Sequence, residues 1–109
     1  MQALDDIRIA LYRQFGHLTV PDVFDEPTMQ SIIADIETWG ESFLAGLSDK
    51  EKAWYIDGGV TARTVLRKLD NPHAHRDAVM ALARDPALVG LVESLIGPGV
   101  SVYFSQIFF

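Results

Sequence analysis

The chain has 109 residues, 49% of them hydrophobic, and a formal net charge of −6; it makes one domain or part of one, able to bury roughly two-thirds of its unfolded surface. With no cysteine, a disulfide framework, a thiolate metal site and a cysteine nucleophile are excluded. The acidic balance argues against a polyanion partner, because nucleic-acid binders carry basic patches that neutralise phosphates, and the one local basic cluster here (Arg63, Arg67, Lys68) has acids on either side in sequence.

The N-terminus, Met1-Gln2-Ala3-Leu4-Asp5-Asp6, carries acid where a signal peptide needs base, and no apolar run approaches the ~18 residues of a membrane span. The expectation is a soluble, cytoplasmic chain. Leu4, Ile7, Leu11 and Phe15 recur at helical spacing and predict an amphipathic helix over about Asp5 to Gln14, with Gly16 as its C-cap. Leu18-Thr19-Val20 alternates like a short strand that Pro21 ends. Asp25 caps a second helix, with Pro27 in its first turn and Met29, Ile32, Ile33 and Ile36 as its buried stripe. Gly40 and Gly46 weaken that helix toward its end.

Ser48-Asp49-Lys50-Glu51 matches a capping box and predicts a further helical turn. Trp54-Tyr55-Ile56 has strand character, Gly58-Gly59 makes a turn, and Thr64 to Leu69 reads as another strand. Asn71-Pro72 opens a third helix carrying Ala78, Val79 and Leu82. Asp85-Pro86 opens a fourth with Leu88, Leu91, Val92 and Leu95, closed by Gly97-Pro98-Gly99. Val100 to Phe109 is a long strand by composition. One face is Val100, Val102, Phe104, Gln106, Phe108; the other is Ser101, Tyr103, Ser105, Ile107, Phe109. An apolar strand left open in this way invites edge pairing, so the domain is expected to continue beyond Phe109.

Two stretches carry a family resemblance. Phe15-Gly16-His17-Leu18-Thr19-Val20-Pro21-Asp22-Val23-Phe24-Asp25, leading into a helix, is similar to the start of phytanoyl-CoA dioxygenase-like proteins. Leu95-Ile96-Gly97-Pro98-Gly99-Val100-Ser101-Val102-Tyr103-Phe104-Ser105-Gln106-Ile107-Phe108-Phe109 resembles the helix end, Gly-Pro turn and first long jelly-roll strand of the same family. The resemblance implies an α+β fold: the N-terminal helices and first strands of a double-stranded β-helix (jelly-roll, cupin-like) oxygenase, with residues 1–109 a single incomplete domain. It implies Fe(II) and 2-oxoglutarate as cofactors of the intact protein, with the iron held by a His-X-Asp pair and a distant His that leave positions open for 2-oxoglutarate, and the His-X-Asp pair is expected past Phe109. The implied activity is hydroxylation of a small organic or acyl substrate. A small-molecule substrate is the expected partner, with neither nucleic acid nor membrane.

His75-Arg76-Asp77 is formally a His-X-Asp, but it falls at the start of a predicted helix, where positions i and i+2 do not face the same way. No histidine follows it to complete a triad. A packing histidine on the face of Ala78, Val79 and Leu82 is the simpler account, so neither a metal ligand nor a catalytic residue is assigned to the chain. His73 and His17 have no evident ligand partners.

Two residues are candidates for contact with 2-oxoglutarate. Gln106 is the only polar residue on its strand face, and a buried amide needs partners, which either a ligand or neighbouring backbone can supply. Arg67 shares a strand face with Arg63, Val65 and Leu69, and its guanidinium can fork onto a carboxylate. The resemblance implies a basic residue near this point, just before the third helix. A slip of one residue would make Lys68 the match and turn the side chain to the other face. A solvated surface arginine is the plainer reading of Arg67. Trp39, Trp54 and Tyr55 either line a substrate entrance or belong to the core. Set against the oxygenase reading is a small non-catalytic α+β binding module, or a pseudoenzyme whose metal ligands are replaced.

Overall fold

The computed structural model describes residues 4–56 and 66–109. The first helix, α1 (Asp6–Phe15), starts where Asp5 accepts a hydrogen bond from the Arg8 amide at 2.8 Å. It ends at Gly16, whose φ of 76° is the left-handed conformation that a Cβ would penalise. The stripe of Ile7, Leu11 and Phe15 is open to solvent rather than covered. Ile9 and Tyr12, turned away from that stripe, are the half-covered apolar residues, and the helix lies against α6.

Leu18-Thr19-Val20 forms no strand among the described residues. The long helix α2 (Glu26–Ala45) is capped by Asp25, which accepts from the Thr28 amide at 2.9 Å, with Pro27 in the first turn. Gly40 does not stop it: at 20 residues it runs on to Ala45, about 30 Å at 1.5 Å per residue. Gly40 is buried, and a Cβ there would meet Leu66 Cδ2 at 3.5 Å, an ordinary van der Waals contact.

The third helix, α3 (Asp49–Tyr55), carries both hydrogen bonds of the capping box between Ser48 and Glu51. It takes in Trp54 and Tyr55, which sequence alone assigns to a strand. The capping box together with the helix-forming run Lys50-Glu51-Lys52-Ala53 outweighs the strand preference of two aromatics. Only Ile56 keeps an extended role, in an isolated antiparallel bridge to Leu66. Arg63 and the expected Gly58-Gly59 turn lie outside the described residues, as do Thr64 and Val65 of the expected strand.

Strand β1 (Lys68–Asp70) pairs antiparallel with β2 (Gln106–Phe108), in the register Lys68↔Phe108, Leu69↔Ile107, Asp70↔Gln106. The long strand expected over Val100 to Phe109 is thus paired only at its end. Val100 to Ser105 form no ladder among the described residues, and β-propensity expresses itself only where a neighbouring strand supplies hydrogen bonds and packing. The helix expected from Asn71-Pro72 divides in two: α4 (Pro72–His75) and α5 (Asp77–Ala83), broken at Arg76, whose backbone is extended (φ −126°, ψ 118°). Its guanidinium forks onto Asp35 of α2, with Nε donating to Oδ2 at 3.0 Å and Nη2 to Oδ1. The ion pair ties this corner to the long helix. Helix α6 (Pro86–Ile96) is capped by Asp85 through the amides of Ala87 and Leu88.

Among the described residues, Ile32 and Leu69 are the buried hydrophobic side chains, and Leu69 is 0% exposed. Large apolar groups stand open elsewhere: Phe15, Ile96, Val102, Tyr103, Phe104, Phe108 and Phe109. The radius of gyration is 17.3 Å, against about 13 Å for a compact chain of this length. The core is therefore thin, with Ile32 of α2 and Leu69 of β1 as its buried hydrophobic side chains among the described residues. No helix among the described residues is long and apolar enough to cross a membrane.

Candidate functional site

The β1–β2 ladder presents two faces. Directly opposed residues of an antiparallel pair share a face, and residues two apart along a strand do too. One face therefore carries Lys68, Asp70, Gln106 and Phe108; the other carries Leu69 and Ile107. Arg67, whose carbonyl accepts from the Phe109 amide at 3.1 Å, continues the second face.

The first face holds a polar cluster around Lys68, a buried ammonium. Removing an ammonium from water costs several kcal/mol unless it is paired, and two partners offset that here. Asp70 Oδ2 lies 3.3 Å from Nζ, and the Trp54 ring lies beneath Nζ with its centroid at 4.4 Å, with Tyr55 farther at 5.9 Å. The indole supplies a cation–π contact that strengthens with desolvation. Helix α3 thus has a definite job: by ending at Tyr55 it brings Trp54 under the strand.

Asp70 uses its other oxygen for Gln106, whose Nε2 donates to Oδ1 at 2.7 Å. That bond is the largest influence holding the Asp70 carboxyl below the usual carboxylate range; burial opposes it, and the hydrogen bond and charge of Lys68 and the Trp54 side chain act with it. The carboxylate is therefore ionised and its pair with Lys68 is electrically neutral. Next along the chain, Asn71 adopts the left-handed conformation (φ 52°). Its amide donates to the Ser105 carbonyl at 2.8 Å, and its side-chain oxygen accepts from the Ser105 amide at 3.4 Å. His73 Nδ1 lies 2.5 Å from Ser105 Oγ. The Asp70–Gln106 contact is thus locked on one side by a second set of bonds between the same two segments.

Gln106 and Arg67, the two residues singled out by sequence, are not brought together. Gln106 is half-buried and faces Asp70 and Lys68. Arg67 is exposed on the opposite face, its guanidinium bonded to the Trp54 carbonyl and its amide to the Tyr55 carbonyl at 2.7 Å. It is Lys68, the one-residue alternative to Arg67, that shares the face of Gln106. Asp70 was not legible as a site residue from type alone. The signal available for it was the opposite charge at i+2 from Lys68, which on a strand means the same face.

The remaining candidates lie apart from this cluster. Trp39 stacks on His75 at 5.7 Å between ring centroids and meets Phe43 edge-on, and Tyr55 meets Phe43 edge-on at 4.9 Å. His75 is exposed rather than packed among Ala78, Val79 and Leu82, because the break at Arg76 takes it off the face of α5. It closes α4 while Asp77 opens α5, so the formal His-X-Asp spans two helices. Among the described residues no three His, Cys, Asp or Glu groups gather to hold a metal ion. A cavity of about 640 Å³ lined by Ser48, Lys50, Glu51, Ala53, Trp54 and Tyr55 adjoins the indole. Another, of about 270 Å³, lies on the far side between α2, Leu66 and Phe109.

The chain is similar to a 2-oxoglutarate-dependent dioxygenase. It is 24% identical over 98 residues to a protein of Stutzerimonas stutzeri described as a probable alpha-ketoglutarate-dependent hypophosphite dioxygenase, the alignment covering 90% of this chain and 34% of that protein. The chain therefore spans about a third of the length of the relative it matches. No protein-family profile matches it, and no solved structure does.

Proposed function

We propose that residues 1–109 are the N-terminal part of a non-haem Fe(II)/2-oxoglutarate-dependent dioxygenase of the phytanoyl-CoA dioxygenase type, which hydroxylates a small organic or acyl substrate. The observation that carries this reading is the similarity to a 2-oxoglutarate-dependent dioxygenase, which runs through 98 residues, nearly the whole chain. The exposed apolar side chains of α1 and of residues 102–109 support it, since they suit a surface covered by further polypeptide. In this reading β2 begins the jelly-roll sheet and the helices pack on its outside.

The described residues do not fit iron by themselves. His17, His73 and His75 are near Phe15, Ser105 and Trp39 respectively, with no cluster of metal-binding groups among the described residues; in this reading the iron ligands lie in further polypeptide. The face of Gln106 and Lys68 fits the cosubstrate better. A buried ammonium and an amide side by side suit a carboxylate, for which charge-assisted hydrogen bonds are the strong ones. Arg67 is the second basic candidate, on the other face of β1.

The reading is tested by anaerobic titration with Fe(II) and 2-oxoglutarate, following the visible charge-transfer band that forms when both bind one iron. The full-length gene product is expected to show the band and residues 1–109 alone to show none. A band from residues 1–109 would assign iron to His75 and Asp77 after all. Its absence from the full-length product would sink the oxygenase reading in favour of a non-catalytic module or a pseudoenzyme.

A further inference from the structure

The geometry points to Asp70 as a positioning residue that holds the Lys68 ammonium and the Gln106 amide side by side, so that both meet one carboxylate-bearing ligand. The inference rests on the reading of this face as the 2-oxoglutarate side of an oxygenase.

Asp70 divides its two oxygens between two partners on two strands: Oδ1 accepts from Gln106 on β2 and Oδ2 pairs with Lys68 on its own strand. Among the described residues no other acid pairs with Lys68. An ordinary surface ion pair leaves its long side chain free to wander. Here the lysine side chain is 10% exposed and the aspartate side chain 23% exposed, and Trp54 closes the ammonium from another side.

Among the described residues the arrangement leaves hydrogen-bonding capacity unspent. An ammonium has three N–H donors and a primary amide has two; Asp70 engages one of each. An incoming carboxylate can take a remaining donor from Lys68 and the second N–H of Gln106 without displacing Asp70. The ligand then meets an ammonium already fixed in direction, so little side-chain entropy is lost on binding, and in this proposal that gain outweighs the repulsion between the ligand carboxylate and Asp70. Without Asp70 the lysine would extend to water, and Gln106 would be free to rotate.

The test uses the full-length gene product with Asp70→Asn, which keeps shape and removes charge, and Asp70→Glu, which keeps charge. Two readouts are compared: acylation of Lys68 by an amine-reactive ester, followed by peptide mass spectrometry with the exposed Lys50 and Lys52 as internal references, and the dissociation constant of 2-oxoglutarate by anaerobic calorimetry with Fe(II). Asp70→Asn is expected to speed Lys68 acylation about fivefold and to weaken 2-oxoglutarate binding about tenfold, the scale of one lost charge-assisted hydrogen bond. Asp70→Glu should keep both within about threefold of the wild type on the same scale.

Unchanged Lys68 acylation in Asp70→Asn overturns the proposal. So does faster acylation with unchanged affinity, which would leave Asp70 a structural residue only. If Asp70→Asn does not fold, Gln106→Met removes the amide while leaving the charge pair. Lys68 acylation is then expected to stay near the wild-type rate while 2-oxoglutarate binding weakens about tenfold, and unchanged affinity overturns the proposal. Faster acylation in Asp70→Asn with no 2-oxoglutarate binding by the wild type sinks the oxygenase reading instead, and upholds only the hold of Asp70 on Lys68.

Discussion

Replacing Leu69 by alanine tests where the core lies. Its side chain is 0% exposed, on the ladder face opposite Lys68 and across from Ile107. The substitution removes three carbons, about 2.4 kcal/mol at ~0.8 kcal/mol per buried methylene. A residual cavity adds to this, because the surroundings of a buried side chain relax only partly into the space it leaves. The expected loss is about 3 kcal/mol, within the range of buried Leu→Ala changes. For a domain of this size that lowers the melting temperature by about 12 °C. Urea denaturation at 25 °C followed by far-ultraviolet circular dichroism gives the free energy directly. Tyr103→Ala is the control: Tyr103 is equally apolar in its ring yet 98% exposed, and its loss should stay within about 0.5 kcal/mol. A Leu69→Ala loss under about 1 kcal/mol, or one no larger than that of Tyr103→Ala, would refute the placement of the core at β1.

The Asp35 carboxyl is held below the usual carboxylate range chiefly by the hydrogen bond from Arg76, aided by its charge and opposed by burial. A depressed carboxylate stabilises the fold above its unfolded pKa and loses that contribution as pH falls through the lower folded value. The melting temperature should therefore drop more steeply in acid for the wild type than for Asp35→Asn; parallel curves below about pH 4 would discount the pair. Two glycines should respond with opposite signs. Gly90 lies within α6 with nothing within 4 Å of an added Cβ, so alanine there should add about 0.5–1 kcal/mol by helix propensity. Gly16 has φ 76°, so alanine there should cost about 1 kcal/mol. Shifts of the same sign in thermal melts would contradict these backbone assignments.

Helix starts were the most legible part of the fold, because a cap is a local contract between one side chain and amides two or three residues on. Asp5, Asp25, Ser48 and Asp85 each make that bond. Strands were less legible because their partners are remote. Trp54 and Tyr55 have strand composition but sit in a capped helix, and Val100 to Ser105 have it without a ladder among the described residues. The site was half visible for the same reason. Gln106 could be chosen as the odd polar residue on its face, whereas deciding between Arg67 and Lys68 needed the register, which one residue of slip reverses. The exposure of His75 was hidden in the break at Arg76, a residue whose side chain pairs with an aspartate 41 residues away.

The distance in sequence between the two halves of the site has a kinetic consequence. Asp70 and Gln106 are 36 residues apart, and closing a loop of that length costs about 3 kcal/mol of chain entropy beyond a constant. Helices α5 and α6 form from local contacts within that loop, and they shorten the search. A two-stranded ladder cannot meet the cost alone. Lys68, Asp70 and Gln106 should therefore come together late in folding and part early in unfolding, making their contact a sensitive gauge of whether the intervening helices are docked.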